Sequence, residues 1–279
     1  MTEFAPLLPR IERLLDRLET PRAASAPDWA TVAAARWIAA SGELRPIVHA
    51  RAPDLDDLLA IDVQKARVDA NTRQFVEGRP ANNVLLTGAR GCGKSSLVKA
   101  VHARYAAAGL RLVEVDKAGL ASLPDLFDLL AESAQRFIVF IDDLSFAEHE
   151  PGYASLKAAL DGSLAGPGDN VLVYATSNRR HLMPEYMSEN LATHYEGGEV
   201  HPGEATEEKV SLSDRFGVWV SFYAMDQDTY LAIARHWATA LGAPLTEGFE
   251  RAALQWAQGR GARSGRVAWQ FARDWAGRL

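Results

Sequence analysis

The rhythm of apolar positions changes near residue 83. Upstream, Leu7, Leu8, Ile11, Leu14, Leu15 and Leu18 recur at three- and four-residue spacing between charged positions, which predicts an amphipathic helix, and PRAASAP over 21–27 ends it. Trp29, Val32, Ala33, Trp37 and Ile38, following the N-cap candidate Asp28, predict a second amphipathic helix. Either stripe suits docking on the body of the protein or on a partner, and the body is the simpler destination because most such helices cover a core. A third helical stretch, DDLLAIDVQKARVDANTRQFVEG, opens at residue 56.

Beyond it, short apolar runs alternate with helical patterns. The runs are NVLLT (83–87), LRLVEV (110–115), FIVFID (137–142), NVLVYATSN (170–178) and GVWVSFY (217–223). Helical patterns fill the gaps, over KSSLVKAVHARYAAAG, from Leu123 and from Tyr153. Apolar runs of this length with helices between them read as parallel strands buried on both faces. The expected fold class is therefore α/β, a doubly wound five-stranded parallel sheet. After Ala224 the strands stop and three helical stretches follow, with Asp226, Thr246 and Ser264 as N-cap candidates, which predicts a small C-terminal helical lid. The expected layout is an N-terminal helical extension over 1–55, an α/β core over 56–224 and the lid over 225–279.

Composition narrows this picture. At 279 residues, 48% hydrophobic and 24% charged, the chain has room for a large core and is neither disordered nor fibrous in character. A net charge of -6 excludes a nucleic-acid grip spread over the whole surface, so any such contact has to be focal. The single cysteine, Cys92, excludes an internal disulfide framework and fits a reduced compartment. The N-terminus carries charges every few residues in place of a signal-peptide core, and no run of eighteen apolar residues follows, so the expectation is a cytoplasmic protein without a membrane span.

The candidate chemistry starts at LLTGARGCGKSSLVKA, residues 85–100. Gly88, Gly93, Lys94 and Ser95 satisfy G-x-x-x-x-G-K-[ST] between a predicted strand and a predicted helix. Glycines permit positive φ and leave room for phosphate against the backbone, while successive N–H groups converge on an anion at a helix N-terminus. Gly88, Ala89, Arg90, Gly91, Cys92, Gly93, Lys94, Ser95 and Ser96 are the candidate loop for a nucleoside triphosphate, with Lys94 on the β and γ phosphates and Ser95 on Mg²⁺. Cys92 reads as a small residue that fits a tight loop. FIVFIDD ends a buried strand in two acids, which is costly without a cation, so Asp142 is the candidate Mg²⁺ partner and Asp143 the candidate base for the attacking water. Asn178 ends the next strand with an amide able to bond both a phosphate oxygen and that water.

The order of these parts resembles the AAA+ ATPase superfamily over roughly residues 56–279. GARGCGKS resembles its Walker A, IVFIDD its Walker B and Asn178 in ATSN its sensor 1. Arg215 in LSDRFGVWV resembles the arginine finger before the fifth strand, and Arg263 in GARSGR resembles the sensor 2 arginine of the lid. More closely, PANNVLLTGARGCGKSSLVKA, DDLSF, YATSNRRHL, SLSDRFG and GARSGRVAWQF resemble a group of bacterial AAA+ proteins known only as a domain of unknown function. The resemblance implies ATP and Mg²⁺ as cofactors and assembly into a homo-oligomer, since Arg215 serves the chemistry only from a neighbouring subunit. It also places the adenine between core and lid, near Leu58, Leu59, Ile61 and Val68. One departure is that the commonest Walker B ends Asp-Glu, and Asp143 is one methylene shorter.

Residues 179–212 form an insertion too polar and long for an ordinary connection. His181, His194 and His201 lack the tight spacing of a metal pair, so the stretch reads as an exposed loop that contacts a client, with Arg179 and Arg180 as a focal nucleic-acid contact or an interface pair. The expected function is ATP hydrolysis at subunit interfaces that remodels an unidentified protein or protein–nucleic acid partner. A nucleotide-gated binding module with little turnover is the alternative. A small-molecule kinase fits less well, because its acceptor pocket needs neither Arg215 nor a lid arginine.

Overall fold

A computed structural model describes residues 26–146, 151–161, 167–178, 194–196, 199–201 and 212–278. Among them a seven-stranded sheet forms the centre. In chain order its strands are β1 (Ala34–Ile38), β2 (Glu43–Pro46), β3 (Val84–Gly88), β4 (Leu110–Val115), β5 (Arg136–Ile141), β6 (Val171–Ser177) and, after a separate hairpin of β7 (His194–Glu196) and β8 (Glu199–His201), β9 (Val218–Phe222). The spatial order is β2-β1-β4-β5-β6-β3-β9. All neighbours are parallel except β1 and β2.

The five strands expected from the apolar runs are β4, β5, β6, β3 and β9, side by side. Each is rich in apolar residues, and the three central ones are buried almost throughout because helices cover both faces. One apolar cluster lies on each face, with Phe127, Phe137 and Val173 in one and Phe75, Val101 and Phe140 in the other. The crossover helices are α1 (Asp62–Val76), α2 (Lys94–Tyr105), α3 (Leu123–Ala131) and α4 (Pro151–Leu160). A buried polar staple fixes α1 to the sheet: the Tyr174 hydroxyl lies 2.8 Å from Thr72 Oγ1 and accepts from Asn71 Nδ2 at 3.1 Å.

The second N-terminal helix expected over 29–38 is not formed, and the expected helical extension is corrected there. Ala34–Ile38 is a strand that extends the sheet by pairing with β4, and β2 returns antiparallel to it. Ala-rich AARWI has good helix propensity, but the free edge of β4 offers a ladder of backbone partners and a covered face on each side. Ala34, Ala35 and Trp37 are accordingly all buried. Asp28 caps only a turn, accepting from Ala30 N at 3.0 Å. The sheet therefore has seven strands, two of them contributed by the segment assigned to the extension. The first predicted helix lies outside the described residues, as does most of 179–212.

Beyond β9, α5 (Gln227–Ala240), α6 (Phe249–Arg260) and α7 (Gly265–Ala276) form the lid around Tyr230, Phe249 and Phe271. Asp226 and Ser264 cap α5 and α7 through Thr229 N and Val267 N. Thr246 does not cap α6. Gly248, in the left-handed region, precedes that helix.

Candidate functional site

The phosphate loop leaves β3 at Gly88 and enters α2 at Lys94. Gly88, Gly91 and Gly93 have φ of 129°, 76° and 98°, so the loop passes through positive φ at each of its glycines. The glycines also answer steric demands. A Cβ on Gly88 would lie 1.9 Å from the carbonyl oxygen of Phe222 at the end of β9, and one on Gly91 would lie 2.7 Å from Ser264 Oγ. Gly91 thus makes room for the lid, and its carbonyl accepts from Arg266 N at 3.2 Å.

Lys94 is buried, and its ammonium donates to Gly88 O at 2.7 Å, Ala89 O at 2.8 Å and Asn178 Oδ1 at 2.9 Å. Its three protons are matched by three acceptors. Burial lowers its pKa, partly offset by Cys92, Asp143 and Asp142. Cys92 is also buried, which raises its thiol pKa and makes it a packing residue.

On the facing strand ends, Ser95 Oγ and Thr176 Oγ1 each donate to Asp142 Oδ1 at 2.6 Å. Asp143 adopts a left-handed φ of 55°, and its N–H donates to Thr176 Oγ1 at 2.9 Å and to Asp142 Oδ1 at 3.1 Å. The Asp143 carboxylate accepts from Asn178 Nδ2. Lys94, Ser95, Asp142, Asp143 and Asn178, which come from three separate stretches of sequence, are therefore brought together in one place.

These groups line a cleft of about 900 Å³ between sheet and lid, together with Arg90 to Ser96, Thr176 and Arg266. Its lining also includes the apolar Leu58, Leu59 and Ile61, the charged Arg51, Asp54 and Asp57, and Met225, Ile233, Trp237 and Trp269 on the lid side. The indoles of Trp237 and Trp269 meet edge to face with centroids 4.7 Å apart. His236 Nε2 lies 2.9 Å from Asp57 Oδ1 and ties α5 to the segment that walls the cleft.

Two of the expected positions, Val68 and Arg263, fall elsewhere, and Arg215, expected to act on a neighbouring subunit, stands apart from the cleft of its own chain. Val68 packs in the core under the sheet, away from the cleft wall. Arg263 is exposed and precedes the α7 cap, whereas Arg266, one turn further on, lines the cleft. Arg215 does not line the cleft of its own chain; it forms an ion pair with Asp161 beyond α4. Sequence reasoning missed Thr176, Trp237 and Trp269. A threonine in the polar end of a mostly apolar strand was the available signal for the first, while the indoles were indistinguishable from lid core by spacing.

Ser95 and Asp142 offer a hydroxyl and a carboxylate, hard oxygen donors of the kind that fit Mg²⁺. Among the described residues no group of three His, Cys, Asp or Glu side chains is placed to hold a metal. No helix among the described residues is long and apolar enough to cross a membrane.

A parallel sheet of this order, a glycine loop entering a helix and a helical lid over the strand ends make up a P-loop fold of the AAA+ type. Residues 30–279 match the family model described as "Protein of unknown function (DUF815)", and the chain belongs to that family. The sequence matches no curated protein. Among solved structures, a single-site mutant of Thermotoga maritima RuvB is similar at 14% identity and a TM-score of 0.53, over 80% of this chain and 64% of that one. A second single-site mutant of the same protein is similar at 16% identity and a TM-score of 0.52, over 79% and 63%. The Aeropyrum pernix ORC1 protein, solved in complex with DNA, is similar at 16% identity and a TM-score of 0.51, over 76% and 60%. At these identities the likeness is one of fold, and the chain spans less than two-thirds of each of those solved chains.

Proposed function

We propose that this chain is an oligomeric ATPase that binds Mg-ATP between core and lid, hydrolyses it with help from a neighbouring subunit, and uses the lid movement to remodel a protein or protein–nucleic acid partner. The observation that carries this reading is the convergence of Lys94, Ser95, Asp142, Asp143 and Asn178 in a cleft that Ile61, Trp237 and Trp269 also line.

In this reading the Lys94 ammonium exchanges its carbonyl and amide acceptors for phosphate oxygens, which are charged and hold it more strongly. Ser95 and Asp142 hold Mg²⁺, which supplies neutralisation of charge on the phosphate oxygens. Asp143 accepts a proton from the attacking water, and Asn178, already hydrogen-bonded to Asp143, orients that water against the terminal phosphate. Arg266 takes the role that the sequence assigned to Arg263, because it is the lid arginine on the cleft wall. Trp237, Trp269 and Ile61 enclose the base. Arg215 leaves Asp161 to reach the site of the adjacent subunit.

A second reading, a nucleotide switch with little turnover, is favoured by one feature: the short Asp143 side chain is held by Asn178. Phosphate release separates the two. For the ATPase, wild-type protein releases phosphate at a rate that rises with protein concentration, and Asp143→Asn loses at least about a hundredfold in rate while still binding nucleotide. Equal release by wild type and Asp143→Asn would remove the hydrolytic reading.

A further inference from the structure

We infer that Thr176 is a positioning residue for both acids of the site, setting the orientation of Asp142 toward the metal and the backbone turn that aims Asp143. This inference rests on the nucleotide-binding reading above.

The hydrogen-bond directions at Thr176 are fixed by elimination. Asp143 N has a proton and no lone pair to offer, so the Thr176 hydroxyl must accept from it at 2.9 Å. The hydroxyl proton is then left for Asp142 Oδ1, 2.6 Å away. A third tie runs through the backbone, where Leu144 N donates to Thr176 O at 2.6 Å. Thr176 therefore grips residues 142, 143 and 144 at once, from the neighbouring strand.

Each grip has a separate consequence. Asp142 Oδ1 accepts from both Ser95 and Thr176, but the Ser95 oxygen is also the one a cation would claim. When Ser95 turns its lone pair to the metal, Thr176 remains as the side-chain donor that holds the carboxylate in place. Asp143 has a left-handed backbone that is unfavourable for a residue with a Cβ, and such a conformation persists only where neighbours over-determine it. The Thr176 hydroxyl and the Leu144 bond are those neighbours. Thr176 itself is buried, so its hydroxyl is shielded from competing water. Valine has the same shape without the hydroxyl, and serine has the hydroxyl without the methyl group.

The test compares wild type, Thr176→Val and Thr176→Ser as purified full-length chains, with folding checked by thermal denaturation. Nucleotide binding is titrated calorimetrically with excess EDTA and then across a Mg²⁺ series, and phosphate release is measured in parallel. Loss of such a partner behind a metal ligand costs about ten- to a hundredfold in metal affinity or activity. The expectation is that Thr176→Val binds ATP in EDTA as wild type does, requires about tenfold more Mg²⁺ for half-maximal effect, and loses turnover more than it raises KM. Thr176→Ser restores the wild-type Mg²⁺ curve. A wild-type Mg²⁺ curve in folded Thr176→Val, or a Thr176→Ser curve as displaced as that of the valine variant, overturns the assignment. If Thr176→Val does not fold, the serine variant alone decides: a displaced curve overturns, an unchanged curve supports. Absence of Mg-ATP binding by wild type would instead remove the nucleotide reading, and this inference with it.

Discussion

Lys94 Nζ donates to Asn178 Oδ1 at 2.9 Å, joining the phosphate loop on one strand end to the polar end of the neighbouring strand. Asn178 in turn donates to Asp143, so the loop lysine and the second acid of the strand end share a single amide. Occupation of the phosphate site by an anion must rearrange this chain of contacts, which links binding to the geometry of the acid. Asn178→Ala should leave Lys94 with two carbonyl acceptors and Asp143 without its amide. We expect nucleotide affinity within about tenfold of wild type and turnover lowered by at least about a hundredfold, read from calorimetry and phosphate release.

Arg215 is paired with Asp161 at side-chain exposures of 34% and 33%. A partly exposed ion pair contributes little to stability, so it yields readily to a stronger anion. An arginine supplied to a neighbour's terminal phosphate is worth about 10³-fold or more in rate. Arg215→Ala should therefore retain ATP binding and lose about three orders of magnitude in turnover. Mixing it with Lys94→Ala chains should recover part of the activity, because an intact cleft on one chain then meets an intact arginine on the other. No recovery in the mixture would place Arg215 outside the chemistry.

Gly88 and Gly109 both have positive φ, 129° and 95°, but only Gly88 faces an obstacle, the Phe222 carbonyl. Gly109→Ala should cost about 1–2 kcal/mol, the penalty of a side chain in the left-handed region. Gly88→Ala adds a clash with the backbone of β9 and should cost upwards of about 3 kcal/mol or prevent folding. Urea denaturation of the two variants checks the ordering.

His102 is buried, and its Nε2 lies 3.0 Å from Ala33 O just before β1. Burial lowers its pKa below the ordinary 6.5. The unfolded chain then binds a proton at a pH where the folded chain does not, so stability falls as pH drops through about 6.5 and continues to fall until the lower folded value is reached. His102→Gln cannot take up that proton. The stability advantage of wild type over His102→Gln, measured by thermal denaturation, should shrink between about pH 7.5 and about pH 5. An advantage independent of pH would contradict this account.

The core was legible because its signal is local. Runs such as RFIVFI and VLVYATS are too apolar for a half-exposed strand and too short for a helix, and they fall where β5 and β6 stand. The phosphate loop was equally legible, since its glycines and Lys94 lie within a single short stretch. β1 was not. AARWI becomes a strand only because β4 leaves an edge free, and that edge is about eighty residues away in sequence. Thr176 and Arg266 were hidden for a related reason: their roles depend on which neighbours the fold brings near, Asp142 and Asp143 for the first and Gly91 with the cleft wall for the second. Arg263 and Arg266 lie on one short motif, and only the start of α7 at Gly265 decides which of them faces the cleft.

Calorimetric titration of the wild-type chain with Mg-ATP, alongside Lys94→Ala, tests the central claim most directly. The account predicts saturable binding near one nucleotide per wild-type chain, weakened about ten- to a hundredfold in the variant through loss of charged hydrogen bonds. Identical titrations of the two proteins, or no saturable binding by the wild type, would contradict it.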